Sequence, residues 1–412
     1  MCLQGICAAP PDTTGPSGDG GPSGGTGGGT GGGDAGVIVI GDAGPTTAPT
    51  DSDGGIPAGY PAPTAANYAK CQTVPISATA CAGQDAGDTC IECLFGGSDY
   101  NEALTPTADG TAEAGNYAVT VQVGGAAAGS TYISAESERG LLAPVTTAAG
   151  QTAEFAFAVN VRAMEGQPDH AGGPGGYPGL DLFFSGPAAT PPQVSAIGYS
   201  LVTAATTPIV VYIASDSTAC DQTGGAFGGW GQMLPEFFAP PIAIANYANS
   251  GASSSDFYAN PLHWGAIKAH WKAGDYVLVQ FGHNDKGVPD ATVQANLEKY
   301  VVDAKAANVT AILVSPPARV QFGNGTVDGD QSSLHAISAQ DAAAAENVAY
   351  IPLTALSTAW YNTLGSQAAA LKFHANDSDA THTNLVGAAK LASLVTGSMK
   401  SQNLPIAQYL RQ

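Results

Sequence analysis

The sequence predicts an α/β protein in two parts: a three-layer α/β/α domain with a parallel sheet over residues 208–412, preceded by a β-sandwich accessory domain over residues 96–200. Three observations lead there. Residues 208–412 carry continuous apolar runs of strand length separated by helix-compatible stretches, the pattern of strands buried on both faces of a parallel sheet. Residues 96–200 instead alternate apolar with small or polar positions and show no helical period. A chain of 412 residues is long enough for two such units and a tail.

The 54 glycines and 28 prolines are unevenly spread. Residues 1–55 are mostly Gly, Thr, Pro, Ser and Asp, with one apolar run at 37–40 and no basic residue before Lys70. Such a segment cannot bury enough apolar surface to offset its ordering entropy, so a flexible linker is expected. Residues 56–95 form a cysteine-rich stretch of little periodicity. Four of the seven cysteines, Cys71, Cys81, Cys90 and Cys93, fall here; Cys2, Cys7 and Cys220 are the others. The cluster fits either zinc ligands or two disulfides. Only Cys90 and Cys93 have the two-residue gap of a metal knuckle, and the neighbours are acidic and glycine-rich, which favours disulfides of open connectivity and a stapled loop region.

In the next unit, Tyr117, Val119, Val121 and Val123 alternate with smaller residues, as do Phe155, Phe157, Val159 and Val161; Leu182, Phe183 and Phe184 make a short run. All four tryptophans lie outside it, leaving Tyr132 and Tyr177 as the candidates for a sugar-stacking platform. A structural role is therefore expected over a sugar-gripping one. From Pro208 the apolar runs are 209–214, 242–247, 276–281, 310–314 and 348–351, with helical stretches at 291–308, 338–347 and 387–400. In a parallel sheet, functional residues collect at the carboxyl ends of the strands.

Four segments stand at such ends or in the terminal loop. Ser215-Asp216-Ser217-Thr218 closes the first strand, and Asn249-Ser250-Gly251-Ala252-Ser253 follows the second. Gly282-His283-Asn284-Asp285 follows the third. Asp379-Ala380-Thr381-His382 precedes the last helix. In order and type these blocks resemble the SGNH or GDSL hydrolases. More narrowly, the chain is similar to their rhamnogalacturonan acetylesterase-like and acetylxylan esterase-like branch, a likeness sharpened by His283 and by Gly229-Trp230-Gly231. The likeness covers residues 208–412. One position departs from it: Ser215 stands where the family has glycine.

The resemblance implies a catalytic set of Ser217, Asp379 and His382. A serine hydroxyl is a weak nucleophile at neutral pH and needs an adjacent base, here His382. Asp379 would hold the imidazole in the right tautomer. Asp377 is a chemical rival that the family spacing sets aside. The implied oxyanion hole is the backbone N–H of Ser217, the backbone N–H of Gly251 and the side-chain amide of Asn284; glycine at 251 would also leave room for the acyl group. Trp230, His283 and Arg319 are the expected substrate-binding residues, with Trp264 and Phe322 as further aromatic candidates. A zinc site of His283, Asp285 and His382 would leave the serine and oxyanion blocks unexplained, so no metal and no organic cofactor are expected. Cys220 is expected to be a buried small apolar residue or to pair with an N-terminal cysteine.

The chain carries 13 basic and 34 acidic residues, a formal charge of −21. That field repels phosphate backbones and argues against a nucleic-acid partner. No apolar run reaches 18 residues, so no membrane span is expected. No basic segment followed by an apolar one opens the numbered sequence. The family likeness implies a secreted or cell-surface bacterial protein acting on acetylated plant cell-wall polysaccharide, either acetylxylan or rhamnogalacturonan; the sequence leaves the oligomeric state open, with a monomer preferred. A general short-chain carboxylesterase and a non-catalytic carbohydrate binder are the alternatives.

Overall fold

The computed structural model describes residues 56–74, 88–95, 115–162, 180–202, 208–222, 226–327 and 332–411. The expected linker over 1–55, Cys2, Cys7, Cys81 and Tyr177 lie outside the described residues.

Before residue 203 the chain is almost wholly antiparallel. A short helix α1 (Ala65–Tyr68) leads into strands β1 (Gln72–Val74), β2 (Thr89–Phe95), β3 (Gly115–Gly124), β4 (Gly129–Ala135), β5 (Arg139–Thr147), β6 (Thr152–Val161), β7 (Leu180–Gly186) and β8 (Val194–Leu201). They form a five-stranded sheet in the order β1-β2-β7-β4-β5 and a three-stranded sheet in the order β6-β3-β8. Both sheets contribute to one core: Ile91, Cys93 and Phe95 with Ile133, Leu182 and Phe184 from the first, Val119, Val121, Phe155, Phe157 and Ile197 from the second. The cysteine-rich stretch is thus not a stapled loop region throughout, because β1 and β2 within it pair into the sheet. Ile91, Cys93 and Phe95 recur at the two-residue period of a strand face. Cys71 and Cys93 form a disulfide, and Cys90 is disulfide-bonded as well.

From residue 208 the order becomes strand, helix, strand. Strands β9 (Ile209–Ala214), β10 (Ile242–Asn246), β11 (Tyr276–Val279), β12 (Thr310–Val314) and β15 (Ala349–Ile351) make one sheet, ordered β10-β9-β11-β12-β15 and parallel throughout. A small hairpin, β13 (Phe322–Gly323) with β14 (Thr326–Val327), hangs between β12 and β15. The helices are α2 (Trp230–Met233), α3 (Ser254–Ala259), α4 (Ala266–His270), α5 (Asp290–Ala306), α6 (Ala336–Ala345), α7 (Leu353–Leu364), α8 (Gln367–Leu371) and α9 (Leu385–Ser401). Each face of the sheet has its own core. Val211, Ile213, Leu278, Ile312 and Val314 pack with Leu391, Val395 and Met399 of α9. Tyr212, Val277, Val279 and Leu313 pack with Phe257, Leu297 and Tyr300 of α3 and α5. Alternate residues of one strand therefore serve opposite layers, which is why these strands are apolar without interruption.

The strand order reverses direction between β9 and β11. In an open α/β sheet that reversal opens a crevice at the carboxyl ends of the strands. The segments after β9, β10 and β11 all emerge there.

Candidate functional site

The turn after β9 carries Ser217, which is 8% exposed. The N–H groups of Ala219 and Cys220 both donate to Asp216 O, at 3.1 and 3.2 Å, and this makes the turn tight. Asp216 is buried, and its carboxylate accepts from Thr218 N (2.9 Å), Thr218 Oγ1 (2.7 Å) and Gln280 Nε2 (3.1 Å). Burial pushes its pKa up, against those hydrogen bonds and the nearby His382. Gln280 Oε1 in turn accepts from Trp230 Nε1 at 2.9 Å. The turn therefore rests on a neutral amide and an indole, both fully buried. Ser215 keeps a negative φ and meets no backbone strain, but its buried Oγ has no hydrogen-bond partner among the described residues.

Ser217 Oγ lies 2.9 Å from His382 Nε2. His382 Nδ1 lies 2.9 Å from Asp379 Oδ2. Asp379 Oδ1 accepts from Thr381 N at 2.8 Å and His382 N at 2.9 Å. Burial alone would raise the Asp379 carboxyl, but hydrogen bonds and charge from His382 outweigh it and hold the group well below the usual carboxylate range. Asp377 is exposed and makes no such contact. The loop is closed by Ala375 N donating to His382 O (3.0 Å), and it is pinned to the nucleophile side by Gly228 N donating to Thr383 O (2.8 Å) and Thr383 Oγ1 to Gly228 O (2.8 Å). Phe227 sets its ring edge-on to His382 with centroids 5.8 Å apart.

Gly251 follows β10 with φ +76, and a Cβ there would meet nothing within 4 Å. The backbone conformation requires glycine, and crowding by the protein does not. Neither Ser217 N nor Gly251 N has an acceptor among the described residues. Asn284, half-buried after β11, donates one amide hydrogen to Ala252 O at 3.0 Å, which leaves its second for another acceptor. Asp285 ties these loops together by accepting from Ser254 N (3.0 Å) and Ser254 Oγ (2.6 Å). Ser217 N, Gly251 N and the second Asn284 amide hydrogen thus stand on the segments that follow β9, β10 and β11, and are the donor types able to stabilise negative charge developing on an oxygen bonded to a carbon under attack.

The expected substrate-binding residues fare differently. Trp230 is 0% exposed and spends its indole N–H on Gln280, so it supports the turn and does not face the crevice. Trp264 is likewise fully buried, against Tyr300 and Trp271, and Phe322 is half-buried against the core. His283 is buried beside Asn284, its Nε2 at 3.0 Å from Pro317 O. Burial first, then the charge of Arg319 and of His382, push its pKa down to about 3, so it is a neutral, packed ring. Arg319 is half-buried after β12, and the next N–H, Val320, donates to Ala380 O of the His382 loop at 2.8 Å. Cys220 is a buried thiol close to Ser217 O, at 3.6 Å. No helix among the described residues is long and apolar enough to cross a membrane. Sequence reasoning missed Gln280, Gln222 and Phe227. The first two act through contacts that only the fold creates, and a phenylalanine in a glycine-rich stretch carries no signal of its own.

The GDSL-like lipase/acylhydrolase family profile matches residues 214–390. The chain is 31% identical over 211 residues to the Bacillus subtilis protein described as "Probable rhamnogalacturonan acetylesterase YesY", covering 48% of this chain and 95% of that protein. It is 30% identical over 222 residues to the rhamnogalacturonan acetylesterase RhgT of the same organism, covering 49% and 94%. Among solved structures, Bacillus subtilis YxiM aligns over 82% of this chain and 89% of its own at 23% identity and a TM-score of 0.47. The Geobacillus stearothermophilus acetylxylan esterase Axe2 aligns over 47% of this chain and 96% of its own at 18% identity and a TM-score of 0.35.

Proposed function

Because the chain belongs to the GDSL-like lipase/acylhydrolase family, we propose that it is a serine esterase that removes acetyl groups from plant cell-wall polysaccharide through an acyl-enzyme. The observation that carries this reading is the run of contacts from Ser217 Oγ to His382 Nε2 and from His382 Nδ1 to Asp379. In the first step His382 Nε2 takes the Ser217 proton while Oγ bonds to the acetyl carbonyl carbon. The carbonyl oxygen becomes an oxyanion held by Ser217 N, Gly251 N and Asn284 Nδ2. The imidazolium then protonates the departing sugar oxygen, and the tetrahedral centre collapses to acetyl-Ser217. Water, deprotonated by His382, attacks the acyl-enzyme to give a second oxyanion; as the C–Oγ bond breaks, the imidazolium returns its proton to Ser217 Oγ and acetate leaves. Each proton and each charge in these steps is handled by a residue already named.

The relatives' names support an acetylated pectic polymer, and acetylxylan is the second candidate that the test includes. Arg319, on the segment whose Val320 N–H meets the His382 loop, is the cation proposed to contact a substrate carboxylate. The two antiparallel sheets act in this reading as a β-sandwich accessory unit, and the disulfides suit a secreted bacterial enzyme. The test is acetate release from acetylated xylan, acetylated rhamnogalacturonan and an aryl acetate, with Ser217→Ala in parallel. Ser217-dependent release from one polymer is expected. Turnover of the aryl acetate alone would replace the polysaccharide reading with a general esterase, and release that survives Ser217→Ala would refute the mechanism.

A further inference from the structure

Two arginines of the antiparallel part reach the segment that carries the nucleophile. Arg139 begins β5 and Arg162 follows β6. Arg139 Nε and Arg162 Nη2 each lie 3.3 Å from Asp221 Oδ2. Asp221 is only four residues past Ser217, and all three side chains are buried, at 2%, 7% and 2% exposure for Arg139, Arg162 and Asp221. The other oxygen, Asp221 Oδ1, accepts from Asn246 Nδ2 at 2.7 Å, and the same amide donates to Ala219 O at 2.7 Å. The Arg139 guanidinium also donates to Ile244 O of β10 at 3.2 Å. That of Arg162 sits 4.8 Å from the centre of the Tyr247 ring, on the strand end that leads to Gly251. A second bridge runs beside the first. Gln232 Nε2 donates to Ser137 O (2.9 Å) and to Gln222 O (2.7 Å), and Gln222 Nε2 donates to Ser217 O (3.3 Å).

We propose that the antiparallel unit is a working part of the active site: Arg139 and Arg162 are positioning residues that, through Asp221, fix the segment following Ser217 and the strand end that presents Gly251. A carboxylate held at 2% exposure needs compensating charge, because desolvation disfavours its ionised form. The hydrolase half carries Asp221 without supplying either of these cations. The curated relatives above match only about half of this chain, and the family profile spans residues 214–390, which include neither arginine. Here the antiparallel sheets are structurally committed to the segment that follows Ser217.

This inference rests on the esterase reading, and full-chain variants test it. In Arg139→Met with Arg162→Met, kcat on an aryl acetate is expected to fall about 10- to 100-fold, the scale of an ångström-sized misplacement, with KM within about twofold. Adding Asp221→Asn removes the buried charge that the arginines serve and keeps an isosteric side chain. It should bring kcat back to within about threefold of wild type. Loss of packing alone would not be repaired that way. If the double arginine variant does not fold, the triple variant must fold and turn over. Failure of Asp221→Asn to rescue, a loss confined to KM, or kcat within about twofold of wild type in the double variant would each overturn the proposal. Ser217→Ala separates the two readings: activity surviving it refutes the esterase reading, while an inert Ser217→Ala with no rescue refutes this inference alone.

Discussion

Replacing Asp379 by asparagine changes one atom and reverses one hydrogen bond. The wild-type carboxylate accepts three: from Thr381 N and His382 N on Oδ1, at 2.8 and 2.9 Å, and from His382 Nδ1 on Oδ2, at 2.9 Å. An amide oxygen can keep both backbone donors, so the loop should hold its shape, and the stability lost should be about 1–3 kcal/mol, one hydrogen bond to a charged group. The new NH2 faces Nδ1 and can only donate. Nδ1 must then present its lone pair, the ring proton moves to Nε2, and Nε2 can no longer take the Ser217 proton. Loss of the correct tautomer costs about 10⁴ in kcat in serine hydrolases built this way, equivalent to about 5 kcal/mol of barrier. Activity should therefore fall far more than stability. A pH titration of folding gives a second reading. The Asp379 carboxyl titrates below its unfolded value, so its contribution is complete above about pH 4 and is lost as pH falls through the lower folded value. The asparagine variant has no carboxyl to titrate at this position, and its acid-side decline should be shallower. The assay is kcat for an aryl acetate alongside thermal melts from about pH 7 down to about pH 2. A folded variant within about tenfold of wild-type kcat would refute the assignment of Asp379 as the group that sets the tautomer.

Three further outcomes follow from the same contacts. Asn284→Ala removes the proposed oxyanion donor, whose amide is already oriented by Ala252 O; kcat should drop by roughly 10²–10³ with little change in KM, and a loss seen mainly in KM would assign Asn284 to ground-state binding. Ser215→Ala removes a buried hydroxyl that has no partner, so the variant should be more stable by about 1 kcal/mol in denaturant titration; a destabilised protein would mean that the hydroxyl is satisfied in solution. His374 is buried with Nε2 3.0 Å from Tyr361 Oη, and burial pushes its pKa down to about 4. Its lowered folded value means the unfolded chain binds the extra proton, so stability is full above about pH 6.5 and declines by roughly 3 kcal/mol as pH falls towards about 4. His374→Leu should flatten that slope in melts taken across the interval, and an unchanged slope would place the acid sensitivity elsewhere.

What the sequence made legible divides by whether a residue's chemistry is local. Ser217, His382, Asp379, Gly251 and Asn284 are types the reaction itself demands, in short blocks, and the blocks stand at strand ends because continuous apolar runs mark the parallel strands. Trp230 shows the opposite case. Tryptophan suggests sugar stacking by its type alone. Its role here is instead set by a partner 50 residues away, Gln280, which nothing in a local pattern announces. Strand β2 was hidden for a different reason. Cysteine suggests a staple or a ligand, and that reading obscured the two-residue period of Ile91, Cys93 and Phe95 facing the core. The Arg139–Asp221–Arg162 cluster was the least legible of all, because a buried ion pair between two units has no sequence period and each member taken alone suggests a solvated surface charge. The same three residues carry a mechanical consequence. Asp221 shares the nucleophile's segment, and Asn246 links that segment to the strand preceding Gly251. A displacement of the antiparallel sheets would therefore be passed to the segments of Ser217 and Gly251 together, the proposed nucleophile and one of its proposed oxyanion donors.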